Sequence, residues 1–274
     1  MDFTVLITVY KNDKAEDFRT ALKSITVLQT VRPSEVVLVI DGPVSDKTYQ
    51  VIADAESSIP GLYKVIRFEK NQGLGVALQK GLEACTNEIV MRMDSDDIAV
   101  PDRFEKQLQF MEEHPTVAVC GGQITEFIDA EGNIVGRRSV PCSNEEIYKY
   151  MKSRCAFNHM TVSLRRTKVL EVGNYLPWFW NEDYFLWIRL MIAKAEFAKL
   201  PDTLVNVRVG KDMYARRGGM KYFKSELKIQ KYMYSHNIIR GGHFLTNVTK
   251  RLIVQVLLPN KIRGWVFRTF AREK

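Results

Sequence analysis

Asp94-Ser95-Asp96-Asp97 places three carboxylates within four residues, directly behind the apolar run Ile89-Val90-Met91-Arg92-Met93. A buried strand ending in clustered acids puts oxygen ligands at the carboxyl end of a sheet, where ligands bind in open α/β folds. Such acids repel one another unless a cation sits between them. Carboxylate oxygens suit Mg²⁺ or Mn²⁺, ions usually held by one or two carboxylates plus substrate phosphates. One reading is a metal–diphosphate site. The other is a solvated acidic turn capping the helix that begins near Pro101. A second acidic pair, Glu182-Asp183, opens the apolar stretch Tyr184-Phe185-Leu186-Trp187-Ile188. Acids at a helix start are favoured by the helix dipole. A carboxylate held rigidly there can also take a proton from a hydroxyl.

Three further segments end apolar runs in polar groups: Thr8-Val9-Tyr10-Lys11-Asn12, Asp41-Gly42 and Asn71-Gln72-Gly73-Leu74-Gly75. If their strands are parallel, all of these ends share one rim with the acidic turn. Tyr10 or its backbone could then pack against a base, and Asp41 could accept from a base N–H or a ribose hydroxyl. Asn71 and the glycines would let backbone approach a polar ligand. Asp41-Gly42 alone also reads as a plain turn. Gly73 and Gly75 follow the third strand rather than the first, and no third glycine is in register, which argues against a nicotinamide site.

The elements that must position these groups alternate along the first half. Strands are predicted at Thr4–Val9, Val36–Ile40, Tyr63–Phe68 and Ile89–Met93, and helices at Ala15–Val27, Thr48–Glu56 and Leu74–Cys85. Asp46 and Asn71 occupy expected N-cap positions. This alternation predicts an α/β fold with a mainly parallel sheet and helices on its faces. A helix to Glu113 is stopped by His114-Pro115. Val117–Cys120 follows as a strand, then a hairpin pairs Gln123–Asp129 with Ile134–Val140. Met160–Leu164 reads as a strand, and Glu182–Met191 and Tyr222–Tyr234 as helices. Val248–Leu258 and Ile262–Phe270 are shorter helical patterns broken by Pro259. A composition shift near residue 215 divides the chain into 1–214 and 215–274.

The 274 residues carry a net charge of +8, unevenly placed. Residues 201–274 hold 16 Lys and Arg against 4 Asp and Glu, a balance of +12 that leaves −4 for the rest. Such asymmetry points to an anionic partner for the C-terminal part. The four cysteines lack C-x-x-C spacing, which argues against a zinc site and fits reduced thiols in a cytoplasm. The N-terminus runs straight into a strand pattern without a basic leader, and no run of apolar residues is long enough to span a membrane.

Taken in order, these segments resemble family 2 glycosyltransferases of the GT-A fold. The matching residues are Val5-Leu6-Ile7-Thr8-Val9-Tyr10, Val37-Leu38-Val39-Ile40-Asp41-Gly42, Asn71-Gln72-Gly73-Leu74-Gly75, Arg92-Met93-Asp94-Ser95-Asp96-Asp97 and Pro101-Asp102-Arg103-Phe104. They continue with Asn158-His159-Met160-Thr161-Val162, Gly173-Asn174-Tyr175 and Glu182-Asp183-Tyr184-Phe185-Leu186-Trp187-Ile188-Arg189. The likeness covers about residues 3–210 and is strongest to bacterial enzymes that build O-antigen, capsule and exopolysaccharide repeats, such as the amylovoran-type transferases. It extends to the arginine-glycine segment Tyr214-Ala215-Arg216-Arg217-Gly218-Gly219. One departure is Thr8, where many members carry proline.

The resemblance implies a GT-A catalytic domain over 1–214 and a basic helical extension over 215–274. It implies inverting, metal-dependent sugar transfer from a nucleoside-diphosphate-sugar, with UDP favoured, to an undecaprenyl-diphosphate-linked saccharide. Thr8 (through its backbone), Tyr10, Asp41, Asn71 and Asp94 would contact the nucleotide. Asp96 would hold Mn²⁺ or Mg²⁺, and Asp183, with Glu182 beside it, would be the catalytic base. His159, Arg216 and Arg217 are candidates for diphosphate or acceptor contacts. The C-terminal segment interleaves Leu252, Ile253, Trp265, Val266 and Phe267 with Lys250, Arg251, Arg263 and Arg268. That pattern fits amphipathic helices on an anionic membrane surface, or helices packed on the catalytic domain. The resulting expectation is a cytoplasmic protein peripherally attached to the inner face of the plasma membrane. Two rivals remain. A nucleotidyltransferase or sugar-phosphate pyrophosphorylase would carry a glycine-rich basic loop after the first strand, which Tyr10-Lys11-Asn12-Asp13 does not. A nucleic-acid-binding protein would not segregate its basic residues away from the carboxylate rim, so no nucleic-acid partner is expected.

Overall fold

The computed structural model describes residues 1–210 and 218–259. Its centre is one nine-stranded sheet. Four parallel strands form one half: β1 (Phe3–Tyr10), β2 (Glu35–Asp41), β3 (Tyr63–Arg67) and β4 (Ile89–Met93), in spatial order β3-β2-β1-β4. These are the four expected strands, and Tyr10 lies in register with Asp41. Alternation sends Phe3, Val5, Ile7 and Val9 of β1 to one face and Leu6 to the other. Both faces are covered, so the strands are apolar almost throughout. Helices α1 (Ala15–Ser24) and α2 (Asp46–Ser58) cover the first face, and α3 (Leu74–Ala84) covers the second. Each fully buried Val, Ile, Leu or Phe there contributes about 1.5–3 kcal/mol. At Gly81 of α3 a Cβ would lie 2.3 Å from Leu6 Cδ1, so a side chain there would push the helix off the sheet.

Two expected caps are corrected. Ser45, not Asp46, caps α2, its Oγ accepting from Thr48 N at 3.2 Å. Gly73, not Asn71, precedes α3. α1 ends at Ser24 rather than Val27, because the Ser24 and Thr26 hydroxyls bond back to the carbonyls of Ala21 and Leu22 and compete with the helix ladder.

The other half of the sheet is mixed. β5 (Ile98–Ala99) follows the acidic turn. Helix α4 (Arg103–Glu113) leads to β6 (Val117–Phe127), which joins two segments expected to be separate strands, and β7 (Ile134–Arg138) completes the hairpin. After helix α5 (Asn144–Met151), residues His159–Thr161 form a 3₁₀ turn, so only β8 (Ser163–Arg165) of the expected Met160–Leu164 strand pairs. Helix α6 (Arg166–Glu171) and then α7 (Glu182–Ile192) precede β9 (Glu196–Arg208). β9 runs parallel to β6 with register shifts and was not anticipated, since Pro201 interrupts its strand pattern.

Helices α8 (Met220–Ser235) and α9 (Gly241–Arg251) follow, with a π-helical turn at Leu252–Leu257. Ile229, Met233 and Ile239 belong to the same buried cluster as Leu6, Val37 and Trp187. Arg251 pairs with Glu226 and donates to Ser153 O at 2.8 Å, while Asn247 donates to Lys152 O at 2.8 Å. Helices α8 and α9 are therefore packed into the same core as the sheet. The expected helix at Ile262–Phe270 lies outside the described residues. Among the described residues no helix is long and apolar enough to cross a membrane.

Candidate active site

The parallel strand ends and the start of α7 open into one cavity of about 800 Å³. At the end of β2, Asp41 is buried and organises the loop before α3. Its Oδ1 accepts from Gln72 N at 2.7 Å, and its Oδ2 accepts from Gly73 N and Asn71 Nδ2, each at 2.9 Å. Gly42 has φ +84°, and a Cβ there would sit 2.5 Å from Asn71 N. Only glycine allows the two loops to approach this closely. Thr8, Tyr10, Asp41, Asn71, Asp94 and Asp96 all line the cavity.

Arg103 sets the height of the acidic turn. This buried guanidinium donates to Arg92 O at 2.8 Å and to Gln107 Oε1 at 3.0 Å, tying α4 to the end of β4. Burial and the nearby Arg92 charge push its pKa down to about 9, against the pull of Asp97. Arg92, also buried, pairs with Asp94. Desolvation inside the cavity raises Asp96 to about 7 although its side chain is open, with Asp94 and Asp13 adding repulsion, and burial with repulsion from Asp96 and Asp94 holds Asp97 well above the usual carboxylate range. Asp97 accepts from Arg208 N at 2.9 Å, so it braces β9 against the turn.

Two groups on this rim were missed in the sequence. Asp13 accepts from Tyr10 N at 3.0 Å and from Ser95 Oγ at 2.7 Å, and burial lifts its pKa to about 6. Arg208 comes from the unanticipated strand β9. It lines the cavity, donates from Nε to Asp96 O at 3.2 Å and pairs with Asp17 at 3.2 Å. The Asn12-Asp13 turn beside Tyr10 was a legible signal for the first. The second had none, since 111 residues separate Arg208 from Asp97.

The donor set fits a divalent cation of the Mg²⁺ or Mn²⁺ kind. Asp96 lies among acids whose mutual repulsion a cation would relieve, and the open cavity leaves room for phosphate oxygens. Among the described residues no three His, Cys, Asp or Glu side chains close a metal cage by themselves. One or two carboxylates completed by substrate is the usual arrangement for these ions.

Across the cavity, Glu182 and Asp183 begin α7. Glu182 is buried and lines the cavity, its pKa raised to about 7 by burial and by Asp183. Asp183 lies beside it but outside the lining. Its Oδ1 accepts from Tyr184 N at 2.7 Å, and its Oδ2 faces the Cys155 thiol at 3.9 Å. His159 is not brought to the cavity. Its side chain turns into the core, with Nε2 2.9 Å from Tyr175 Oη and the ring 6.0 Å from Trp187. Burial and the Arg92 charge hold it neutral, with a pKa well below that of a free imidazole. Its neighbour Met160 lines the cavity instead. Arg216 and Arg217 lie outside the described residues.

A nucleotide-sized cavity flanked by two acidic groups matches what comparison with known proteins shows. The sequence profile described as "Glycosyl transferase family 2" matches residues 4–173. The chain belongs to this family. A further profile, "Glycosyl transferase family group 2", matches residues 89–271. Relatives of this glycosyltransferase include the amylovoran biosynthesis glycosyltransferase AmsE of Erwinia amylovora, 40% identical with 97% of both chains covered. Another is the UDP-Gal:alpha-D-GlcNAc-diphosphoundecaprenol beta-1,3-galactosyltransferase of Escherichia coli, 35% identical over 98% of this chain and 96% of the relative. Among solved structures, S. aureus TarS 1–349 in complex with UDP-GlcNAc superposes with a TM-score of 0.69 at 18% identity, covering 98% of this chain and 76% of that one. The Pyrobaculum calidifontis mannosyltransferase PcManGT, in complex with GDP-Man and Mn²⁺, gives 0.59 at 17% identity, covering 95% and 71%. The fold of the family 2 enzyme is thus of the GT-A type, and the pyrophosphorylase and nucleic-acid readings fall away.

Proposed function

We propose that this glycosyltransferase moves a hexose from a UDP-sugar to a hydroxyl of an undecaprenyl-diphosphate-linked saccharide, with inversion at the anomeric carbon, in the assembly of a bacterial surface polysaccharide. The single observation that carries the reading is that the Asp94–Asp97 turn and Glu182 face one cavity, with a nucleotide-compatible rim beside them. The named substrates of the Escherichia coli relative support the choice of donor and acceptor.

Asp41 and Asn71 hold the base and ribose end, with Thr8 and Tyr10 against the nucleotide and Asp94 on its ribose side. Asp96, with Asp94 beside it, would hold Mn²⁺ or Mg²⁺, which when bound offsets the charge of the departing diphosphate. The Glu182–Asp183 pair takes the proton of the attacking hydroxyl. The family likeness assigns that proton to Asp183, whereas the cavity lining favours Glu182. One base acting from the face opposite the leaving group needs no covalent intermediate. His159, held neutral in the core and bonded to Tyr175, has a structural role rather than meeting a ligand, and Arg216 and Arg217 remain candidates for gripping a diphosphate.

Residues 1–214 form the catalytic part and 215–274 a basic extension that rests on an anionic membrane at the cytoplasmic face. Leu245, Ile253 and Leu257 are exposed on the segment that carries Lys250, which supports this placement. The test of function is a transfer screen over UDP-, GDP- and dTDP-sugars with Mn²⁺ and a synthetic lipid-diphosphate monosaccharide. A new glycosidic bond of inverted configuration from a UDP-sugar is expected. Transfer from none of the donors, or retention of configuration, would refute the reading.

A further inference from the structure

Residues 177–182 form the lip of the cavity, and their aromatic rings are arranged in two different ways. Trp178 is an anchor. It stacks on Phe185 with centroids 4.0 Å apart, and its Nε1 donates to Ser225 O at 3.3 Å. Trp180 is presented. It is 52% exposed, adopts φ +56° and lies on Phe179 at 4.7 Å with planes 20° apart. A bulky side chain in the left-handed region is uncommon and persists only where its surroundings impose it. They do so here. Ser225 of α8 donates to Phe179 O at 2.7 Å and accepts from Asn181 Nδ2 at 3.2 Å. Lys221 of the same helix sets its Nζ 4.1 Å from the Phe179 ring centroid. Its ammonium has no carboxylate partner among the described residues, and Tyr222 flanks Trp180 at 6.3 Å.

We propose that Trp180, backed by Phe179, and Lys221 form the acceptor subsite, with a pyranose ring stacked on the indole and the acceptor's diphosphate against the lysine ammonium. The proposal rests on the glycosyltransferase reading of the cavity and extends it to the second substrate. Three observations carry it. The ring is exposed at a cavity lip yet rigidly held, which limits the ordering cost of binding. The C–H face of a pyranose is apolar and its edge polar, which suits an exposed aromatic face. Trp180 stands two residues before Glu182 in the chain, so a sugar stacked there brings its hydroxyls to the acidic pair rather than to the nucleotide rim. The Lys221 ammonium over Phe179 then meets the anion that follows the sugar in a lipid-linked acceptor.

The test titrates undecyl diphosphate-linked N-acetylglucosamine into UDP-saturated protein by calorimetry, which needs no turnover, and then measures transfer to the same probe. Wild-type transfer bears on the function proposed above, and the variants bear on the subsite. Trp180→Ala is expected to weaken probe binding by about tenfold and raise acceptor KM to match. Trp180→Phe should recover most of the loss, with the UDP Kd unmoved in both. Lys221→Ala should weaken the diphosphate probe but not methyl N-acetylglucosaminide. The subsite is overturned if the wild type does not bind the probe, if Trp180→Ala binds it normally, or if the variant weakens UDP instead.

Discussion

The carboxylate rim and the aromatic lip border the same cavity and are built on opposite principles. On the rim each functional group lies within a few residues of a parallel strand's end. Desolvation and mutual repulsion hold Asp13 and Asp96 above the ordinary carboxylate range. The rim is electrostatically incomplete until a cation or proton joins it. The lip is complete as it stands. The residues on either side of its strained Trp180 are tied to Ser225, and its anchor Trp178 is stacked on Phe185. On the roles proposed above, the difference teaches how one site can be shaped for a charged leaving group on one side and a neutral sugar face on the other.

The sharpest way to break this contrast is at Asp96. Asp96→Ala should cut transfer by about 10³-fold or more in Mn²⁺-supplemented assays. Full turnover by the variant would mean that the rim's charge is structural only. Next come the two acids of α7. Whichever of Asp183→Asn and Glu182→Gln removes the base should lower kcat by about 10²-fold or more while UDP still binds. Comparable kcat in both variants and the wild type would move the base elsewhere. A smaller effect probes the clamp. Ser225→Ala removes a hydrogen bond worth about 1 kcal/mol. It should raise acceptor KM a few-fold with donor KM constant, and an unchanged acceptor KM would show that α8 does not set the lip.

The smallest effect lies behind both regions. Lys199 is buried, bonded to Ala156 O, and lies over Phe157, and burial lowers its pKa to about 7. Between that value and the unfolded value near 10.5 the unfolded chain holds a proton that the folded chain has lost, so this residue adds stability as pH rises. Relative to Lys199→Met, wild-type unfolding free energy should gain up to about 1 kcal/mol per pH unit from pH 7 to 9 in denaturant titrations. A flat difference would show that the lysine is not neutral when folded.

Much of the rim was legible because the strands buried on both faces are largely apolar, and polar groups gather just where or after they end, at Thr8, Asp41, Asn71 and Asp94. The lip was not legible. Trp178, Phe179 and Trp180 have the same residue types as a core segment, and nothing local tells which ring is anchored and which exposed. His159 shows the same limit from the other side. Its segment reaches the cavity, but side chains in a 3₁₀ turn point in different directions, and Met160 rather than His159 lines it. β9 was hidden by Pro201, and with it Arg208.

Local pattern therefore determined the parallel half-sheet, the shared direction of its strand ends and the chemistry gathered there, because strand periodicity and like-charge crowding both act over a few residues. Tertiary structure alone decided which acid of α7 faces the cavity, that β9 delivers Arg208 to the acidic turn, and that α8 reaches back to hold Trp180 outward. Those outcomes depend on contacts between segments some 40 to 110 residues apart, whose geometry is set only when the whole core packs.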